Sequence, residues 1–480
     1  MITCQGEVNG PTDLAGVVIK AGKFGHKPRR TEEKMNTTYD AIIIGAGAIG
    51  APVAYELSKM GYKTITVDRA SDAGEGSTSG SCAIVRAHYS TEDGVATAYE
   101  GMKYWLDWEN YLGRVHDEKG YAQYMNTGSI LVKSKGHDWK KVKKNYDAVG
   151  VPYEEWDNDQ FKAHVPVVNT FQYWPVKRPE NPAFFDAPTD ELEGAIFCAE
   201  GGYVNDPVLS CHNTMRAAEA NGATFRFNAE VVEIESENNR VTGVVLDDQT
   251  RIQGKIVVNC AGPHSFKINK LAAGVYEGCK IKTKALRHEV MHCPSPKGYD
   301  YLKDGYHISD GDIGCYYRPE VGNMFLIGSE DPECDPQHWV DPDQFYAGQG
   351  AYARNNQLTR EQWRAQCYRL GLRIQSLQVP EQPGGVVDLY DCSDDWIPVY
   401  DKSDMDGFYM AVGTSGNQFK NAPVVGRMMA ELIDAVENGL DHDTTPLQYH
   451  LKYLAGRSVN MGFYSRKRKI NYESSFSVNG

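Results

Sequence analysis

An unbroken apolar run, Ala41-Ile42-Ile43-Ile44, feeds directly into Gly45-Ala46-Gly47-Ala48-Ile49-Gly50, and this junction constrains the fold more than any other stretch of the chain. Consecutive apolar residues without polar alternation suit a strand covered on both faces, the environment of a parallel sheet. Val53, Ala54, Leu57 and Met60 then recur at helical spacing until Gly61 stops the helix. A second strand, Thr64-Ile65-Thr66-Val67, closes at Asp68 and completes a strand-helix-strand unit.

That unit has a chemistry. Gly45 permits the tight turn, Gly47 lets backbone approach a pyrophosphate, and Gly50 lets the helix seat on the strand, while the helix N-terminus attracts the anion. An acid at the end of the second strand is placed to accept a hydrogen bond from a ribose hydroxyl, which is the expectation for Asp68. Gly45, Gly47, Ala48, Ile49, Gly50, Asp68 and Arg69 are therefore candidate dinucleotide contacts. The motif alone does not choose between FAD and NAD, and an ordinary tight turn uses the same glycines.

The rest of the composition narrows the partners. The chain has 480 residues and a formal charge of -14, with 41% hydrophobic and 24% charged residues. At ~150 residues per domain this is about three domains' worth of globular chain, and no apolar run approaches the ~18–20 residues that span a bilayer. An acidic balance without a Lys/Arg stripe argues against nucleic acid or an anionic membrane, so small molecules are the expected partners, and homo-oligomers are compatible. The 11 cysteines occur singly with no C-x-x-C, which reads as reduced thiols in a cytoplasmic protein without structural zinc. Residues 1–34 read as a polar extension without the apolar core of a signal peptide.

Further glycine turns follow at intervals. Gly201-Gly202-Tyr203 precedes a helix with Asp206 as N-cap and Pro207 at its first position, running to Gly222. Strands are predicted at Val231–Ile234, Val241–Leu246 and Ile256–Cys260, the last stopping at Ala261-Gly262-Pro263, and another at Phe408–Val412 before Gly413-Thr414-Ser415-Gly416. A helix from about Ala422 to Gly439 follows. The stretches between are richer in Trp, Tyr and Pro, predicting two interleaved domains: 35–105, 195–275 and 385–480 for the nucleotide, 106–194 and 276–384 for the substrate.

Several motifs in one order carry a resemblance. Gly76-Ser77-Thr78-Ser79-Gly80-Ser81-Cys82-Ala83-Ile84-Val85-Arg86-Ala87-His88-Tyr89, Tyr390-Asp391-Cys392-Ser393 before Ile397-Pro398, Gly413–Lys420, and Tyr464-Ser465-Arg466 together resemble the D-amino-acid-oxidase-like FAD-dependent oxidoreductases, in the sarcosine and dimethylglycine oxidase branch. The resemblance covers the chain from Tyr39 onward. It implies a mixed α/β fold, a Rossmann-type FAD-binding domain joined to a discontinuous substrate domain with a large mixed β-sheet. It also implies oxidation of the C–N bond of a small N-substituted amino acid, sarcosine, dimethylglycine or iminodiacetate in type. A hydride passes to flavin N5, the imine hydrolyses, and O2 reoxidises the flavin to H2O2. A dehydrogenase using another electron acceptor, or a D-amino acid oxidase, is the alternative.

By the same resemblance, Ser77, Thr78, Ser79, Val232, Ala261, Gly262, Gly413, Ser415, Gly416, Asn417, Gln418, Phe419 and Lys420 join the FAD contacts. Arg86 and Lys420 stand where the branch holds substrate carboxylate, Tyr390 and Tyr316 or Tyr317 where aromatics line the cavity, and His288 where a basic residue neighbours the flavin. A dicarboxylate would draw on Arg318 or Arg287. Asp388 occupies the place where some members attach flavin through cysteine, so FAD is expected to be noncovalent. His288-Glu289-Val290-Met291-His292 is also a literal H-E-x-x-H, the pattern of a zinc peptidase on a helix. Pro294 and Pro296 beyond it favour a strand, in which the two histidines stand ~13 Å apart at ~3.3 Å per residue, too far to share one ion. No metal site is expected.

Overall fold

The computed structural model describes residues 38–354 and 358–480, and the polar extension expected over 1–34 lies outside the described residues. Strand β1 (Thr38–Ile44), helix α1 (Gly50–Lys59) and strand β2 (Thr64–Val67) form the anticipated unit, with β1 and β2 parallel. Ala41 and Ile43 enter one apolar cluster while Ile42 and Ile44 enter another, so both faces of β1 are covered. This is why the strand needs no polar alternation.

An eight-stranded sheet is built around β1. Thr224–Arg226, β2, β1, Arg251–Asn259 and Phe408–Val412 run parallel, and Val231–Glu237 with Arg240–Leu246 adds an antiparallel edge. The turn between those last two strands places Asn238 and Asn239 at positive φ, a conformation asparagine tolerates. Helix Pro207–Ala220 begins as the sequence predicts, Asp206 accepting the Leu209 N–H at 2.8 Å. Helix Ala422–Glu437 crosses α1 closely: a methyl on Gly426 would lie 2.7 Å from the Pro52 backbone.

A nine-stranded mixed sheet forms the second layer system. Its spine, Thr283–Pro294, is a 12-residue strand that contains the H-E-x-x-H and pairs antiparallel with Gly385–Ser393 and Met324–Ser329. The two prolines therefore end a strand, and the zinc-helix reading fails on backbone geometry. Cys315–Glu320, His307–Asp310, Ser129–Val132, Ala195–Cys198 and Glu154–Trp156 continue the sheet. Two strands assigned from sequence to nucleotide-binding segments, Ala195–Cys198 and Gly385–Ser393, thus pair in this second sheet.

One buried ion cluster pins this sheet to helix Arg360–Arg373. The fully buried Arg373 donates from Nε to Asp310 at 2.7 Å, from Nη2 to Asp312 at 2.8 Å, and from Nη1 to the Phe171 carbonyl at 2.7 Å. Removing the cation strands two buried carboxylates side by side. Arg373→Met is expected to cost about 3–5 kcal/mol, read as a fall in denaturant midpoint at unchanged slope.

Among the described residues no helix is long and apolar enough to cross a membrane, and all ten described cysteines are free.

Candidate active site

The turn between β1 and α1 is fixed by sterics and by Asp68. Gly45 has φ +106°, and a methyl group there would overlap the Cys260 carbonyl; a methyl on Gly50 would overlap the Gly45 carbonyl. Asp68 accepts the Ala46 N–H at 2.6 Å through Oδ2 and the Ala70 N–H at 2.8 Å through Oδ1, so the acid staples the turn it was expected to complement. Thr78 Oγ1 accepts the Ala48 N–H at 3.1 Å and lies 3.2 Å from where a Gly47 methyl would sit.

A cavity of ≈ 1080 Å³ opens beside this turn. Gly45, Gly47, Ala48, Ile49, Asp68, Arg69, Ser77, Thr78, Val232, Ala261 and Gly262 line it from the first sheet and its loops. Gly416, Asn417, Gln418, Phe419 and Lys420 line it from the turn before helix Ala422–Glu437, Arg86 from the segment after Ile84–Val85, and His288, Tyr316 and Tyr390 from the second sheet. Gly50, Ser79, Gly413 and Ser415 do not line it. Gly50 acts through helix packing, Gly413 N–H is held at 2.6 Å by Asp391, and Ser415 is buried with its hydroxyl donating to the Gly413 carbonyl. Ser79 accepts at 3.2 Å from Arg354, which does line the cavity.

A cationic pole marks one part of the cavity. Arg86, 4% exposed, donates to the His88 carbonyl and, at 2.5 Å, to the Val478 carbonyl, and its guanidinium lies 4.9 Å from the Tyr89 ring centre. Lys420, 3% exposed, donates to Tyr89 Oη at 3.0 Å and to the Asn417 carbonyl at 2.7 Å. Burial, and then the neighbouring Arg86, push the Lys420 ammonium well below its ordinary pKa. Among the described residues neither cation has a carboxylate partner, so the pole is primed for an anion.

A polar aromatic group lines the same cavity. His288 stacks on Tyr390 at 4.1 Å and its Nε2 lies 3.1 Å from Asp331 Oδ1; Nδ1 is buried without a partner among the described residues. Tyr390 and Tyr316 share a hydroxyl contact of 3.3 Å, and burial raises both phenols well above their ordinary range, keeping them protonated donors. Tyr317 is a correction: alternation along the strand turns it away from the cavity, into the core beside Phe325. Arg318 and Arg287 do not reach the cavity either. Arg318 donates to the Cys82 carbonyl at 2.7 Å and pairs with Glu320, and Arg287 is buried against Glu289.

Among the lining residues that escaped sequence reasoning are His307, Ser309, Tyr346, Arg354 and Val478. So did Asp331, which orients His288. Each reaches the site through tertiary pairing, and none sits in a motif that would have flagged it.

The described residues fit a dinucleotide carrying a ring system. The volume stands at the upper end of small-molecule pockets, ~300–1,000 Å³, and the glycine cradle leaves backbone room for phosphates. Asn417, 2% exposed and lining the cavity, has a buried amide nitrogen without a partner among the described residues. The family model described as FAD dependent oxidoreductase matches residues 40–432. The chain belongs to the FAD-dependent oxidoreductase family. FAD is its cofactor, and the turn at 45–50 with Asp68 has the form of a Rossmann-type nucleotide turn. The oxidoreductase is similar to sarcosine oxidase subunit beta of Rhodobacter capsulatus, with 24% identity over 399 residues, 82% of this chain and 84% of that one. Its fold is shared with L-proline dehydrogenase from P. horikoshii, at TM-score 0.66 and 20% identity over 90% of this chain and 97% of that one. Iminodiacetate oxidase from Chelativorans sp. BNC1 has TM-score 0.59 and 17% identity, covering 82% and 95%.

Proposed function

We propose that the oxidoreductase oxidises the C–N bond of a small N-substituted amino acid, sarcosine or dimethylglycine in type. The observation that carries this reading is the buried pair Arg86 and Lys420 on the wall of a cavity that His288, Tyr316 and Tyr390 also line. Two cations fix a carboxylate, which orients the adjacent C–H bond; the aromatic wall accommodates the N-alkyl group and excludes water. FAD supplies the hydride acceptor at N5. Ionised Lys420 holds the anion, so substrate affinity falls as pH rises through the depressed pKa of that lysine. With Arg318 and Arg287 engaged elsewhere, the cavity favours a monocarboxylate over iminodiacetate. In this reading the eight-stranded sheet would carry the cofactor, the nine-stranded sheet shapes the substrate end, and O2 would be the final electron acceptor, itself reduced to H2O2.

Support for noncovalent FAD comes from Asp388, which accepts from Tyr346 Oη at 2.6 Å and from Arg354 at 3.2 Å. A carboxylate committed to these donors offers no thiolate for a flavin bond. Acid precipitation of the purified protein is expected to leave all the flavin in the supernatant; yellow pellet would contradict it. The substrate reading is tested by mixing oxygen-free enzyme with sarcosine, dimethylglycine, glycine, proline and D-alanine. Bleaching of the flavin by the N-methyl glycines ahead of the others is the expected result, and bleaching by D-alanine alone would replace this reading with a D-amino acid oxidase.

A further inference from the structure

We propose that His307 receives the substrate's amino group: Nε2 accepts a hydrogen bond from the substrate nitrogen and takes its proton when the substrate arrives as an ammonium ion. The inference rests on the amino-acid reading above and adds to it the residue that prepares the amine.

His307 opens the strand His307–Asp310, is fully buried, and lines the cavity. Its Nδ1 lies 2.9 Å from Ser129 Oγ on the neighbouring parallel strand, and Nε2 has no partner among the described residues. A buried imidazole nitrogen without a partner is costly, and the cavity is the side from which a partner can come. The ring cannot swing away. It lies parallel to His88 at 5.9 Å and 11°, and His88 is in turn tied by Nε2 to Ser309 Oγ at 2.8 Å.

The charges facing His307 set its state. Burial first, then Arg86 from the segment after the short strand Ile84–Val85, Lys420 from the turn Phe419–Asn421 and Arg318 from Cys315–Glu320, push its pKa well below the ordinary value. His88 beside it is pushed down in the same way. The imidazole is neutral, and in the tautomer whose Nδ1–H is donated to Ser129 Oγ it offers a lone pair at Nε2.

Substrate binding changes that balance. A carboxylate docked between Arg86 and Lys420 offsets part of the positive charge that, after burial, suppresses the imidazole's basicity, so His307 becomes a better base once the substrate is anchored. The ammonium N–H bond then breaks, its electron pair stays on nitrogen, and the proton passes to Nε2. The lone pair so released is what the adjacent carbon needs to give up hydride, for which bound FAD would supply the acceptor.

The test is the pH dependence of anaerobic flavin reduction by sarcosine, in wild type and His307→Gln, with methylthioacetate as a carboxylate that has no N–H. In His307→Gln, reduction at neutral pH is expected to slow about a hundredfold. The acid limb should move upward, while FAD content stays unchanged and methylthioacetate affinity changes by less than about threefold. Ser129→Ala, which loosens the tautomer without removing the ring, shifts the same limb in the same direction and serves if the glutamine variant does not fold. An unmoved acid limb in a folded variant overturns the proposal, as does an equal loss of methylthioacetate binding, which would make His307 merely structural. If sarcosine, dimethylglycine and glycine all fail to bleach wild type, the amino-acid reading itself falls, and this inference with it.

Discussion

Gly50→Ala is expected to yield protein that holds no FAD. A methyl at this position would overlap the Gly45 carbonyl and approach Cys260 Cβ at 3.2 Å, so α1 cannot seat over the turn without moving β1 or Arg251–Asn259. Both strands are central and covered on two faces, and neither can shift without disturbing the apolar clusters on each side. The contrast is Gly61→Ala at the far end of the same helix. Gly61 has φ +91° with nothing within 4 Å of its would-be methyl, so alanine there costs about 1 kcal/mol through the backbone and leaves the cradle intact. The flavin-to-protein absorbance ratio of the two purified variants separates the outcomes: Gly61→Ala yellow, Gly50→Ala colourless or insoluble. A yellow Gly50→Ala would show that the cradle does not hold the cofactor in this way.

Arg86→Met is expected to leave FAD content unchanged and to weaken carboxylate substrates by about 2–5 kcal/mol, thirtyfold to several thousandfold in KM or Kd. The residue is buried, so a ligand carboxylate pairing with it is desolvated and its loss is large. A second signature distinguishes a substrate contact from a structural prop. Arg86 is the charge that, after burial, most depresses the Lys420 pKa. Without Arg86 that pKa rises, and the pH at which affinity begins to fall moves upward. Arg86→Lys restores a cation but not the two-pronged donation to the His88 and Val478 carbonyls, and is expected to recover only part of the loss. Unchanged affinity in Arg86→Met, with the alkaline limb where it was, removes Arg86 from the substrate site.

The parts of this molecule that were legible in the sequence are those where local chemistry and tertiary requirement coincide. Ala41–Ile44, the three glycines and Asp68 announce the cradle because each residue type answers a local steric or hydrogen-bonding demand. The H-E-x-x-H was also resolvable locally, since Pro294 ends the spine strand. The choice between Tyr316 and Tyr317 was not, because the strand's phase depends on which face meets the core, a property of the sheet. Likewise Ala195–Cys198 and Gly385–Ser393 sit in the second sheet through pairings with Ser129–Val132 and Thr283–Pro294 that no local pattern encodes. Val478 and Asp331 reach Arg86 and His288 by the same long-range route, Val478 from near the chain's C-terminal end.

The central claim is that a carboxylate held by Arg86 and Lys420 presents an amine-bearing carbon for oxidation. Anaerobic titration of wild type and Arg86→Met with sarcosine tests it most directly. The account predicts full bleaching of wild-type flavin and bleaching of the variant only at concentrations raised by at least about thirtyfold. Identical titration curves, or wild-type flavin that no amine of the panel bleaches, would contradict it.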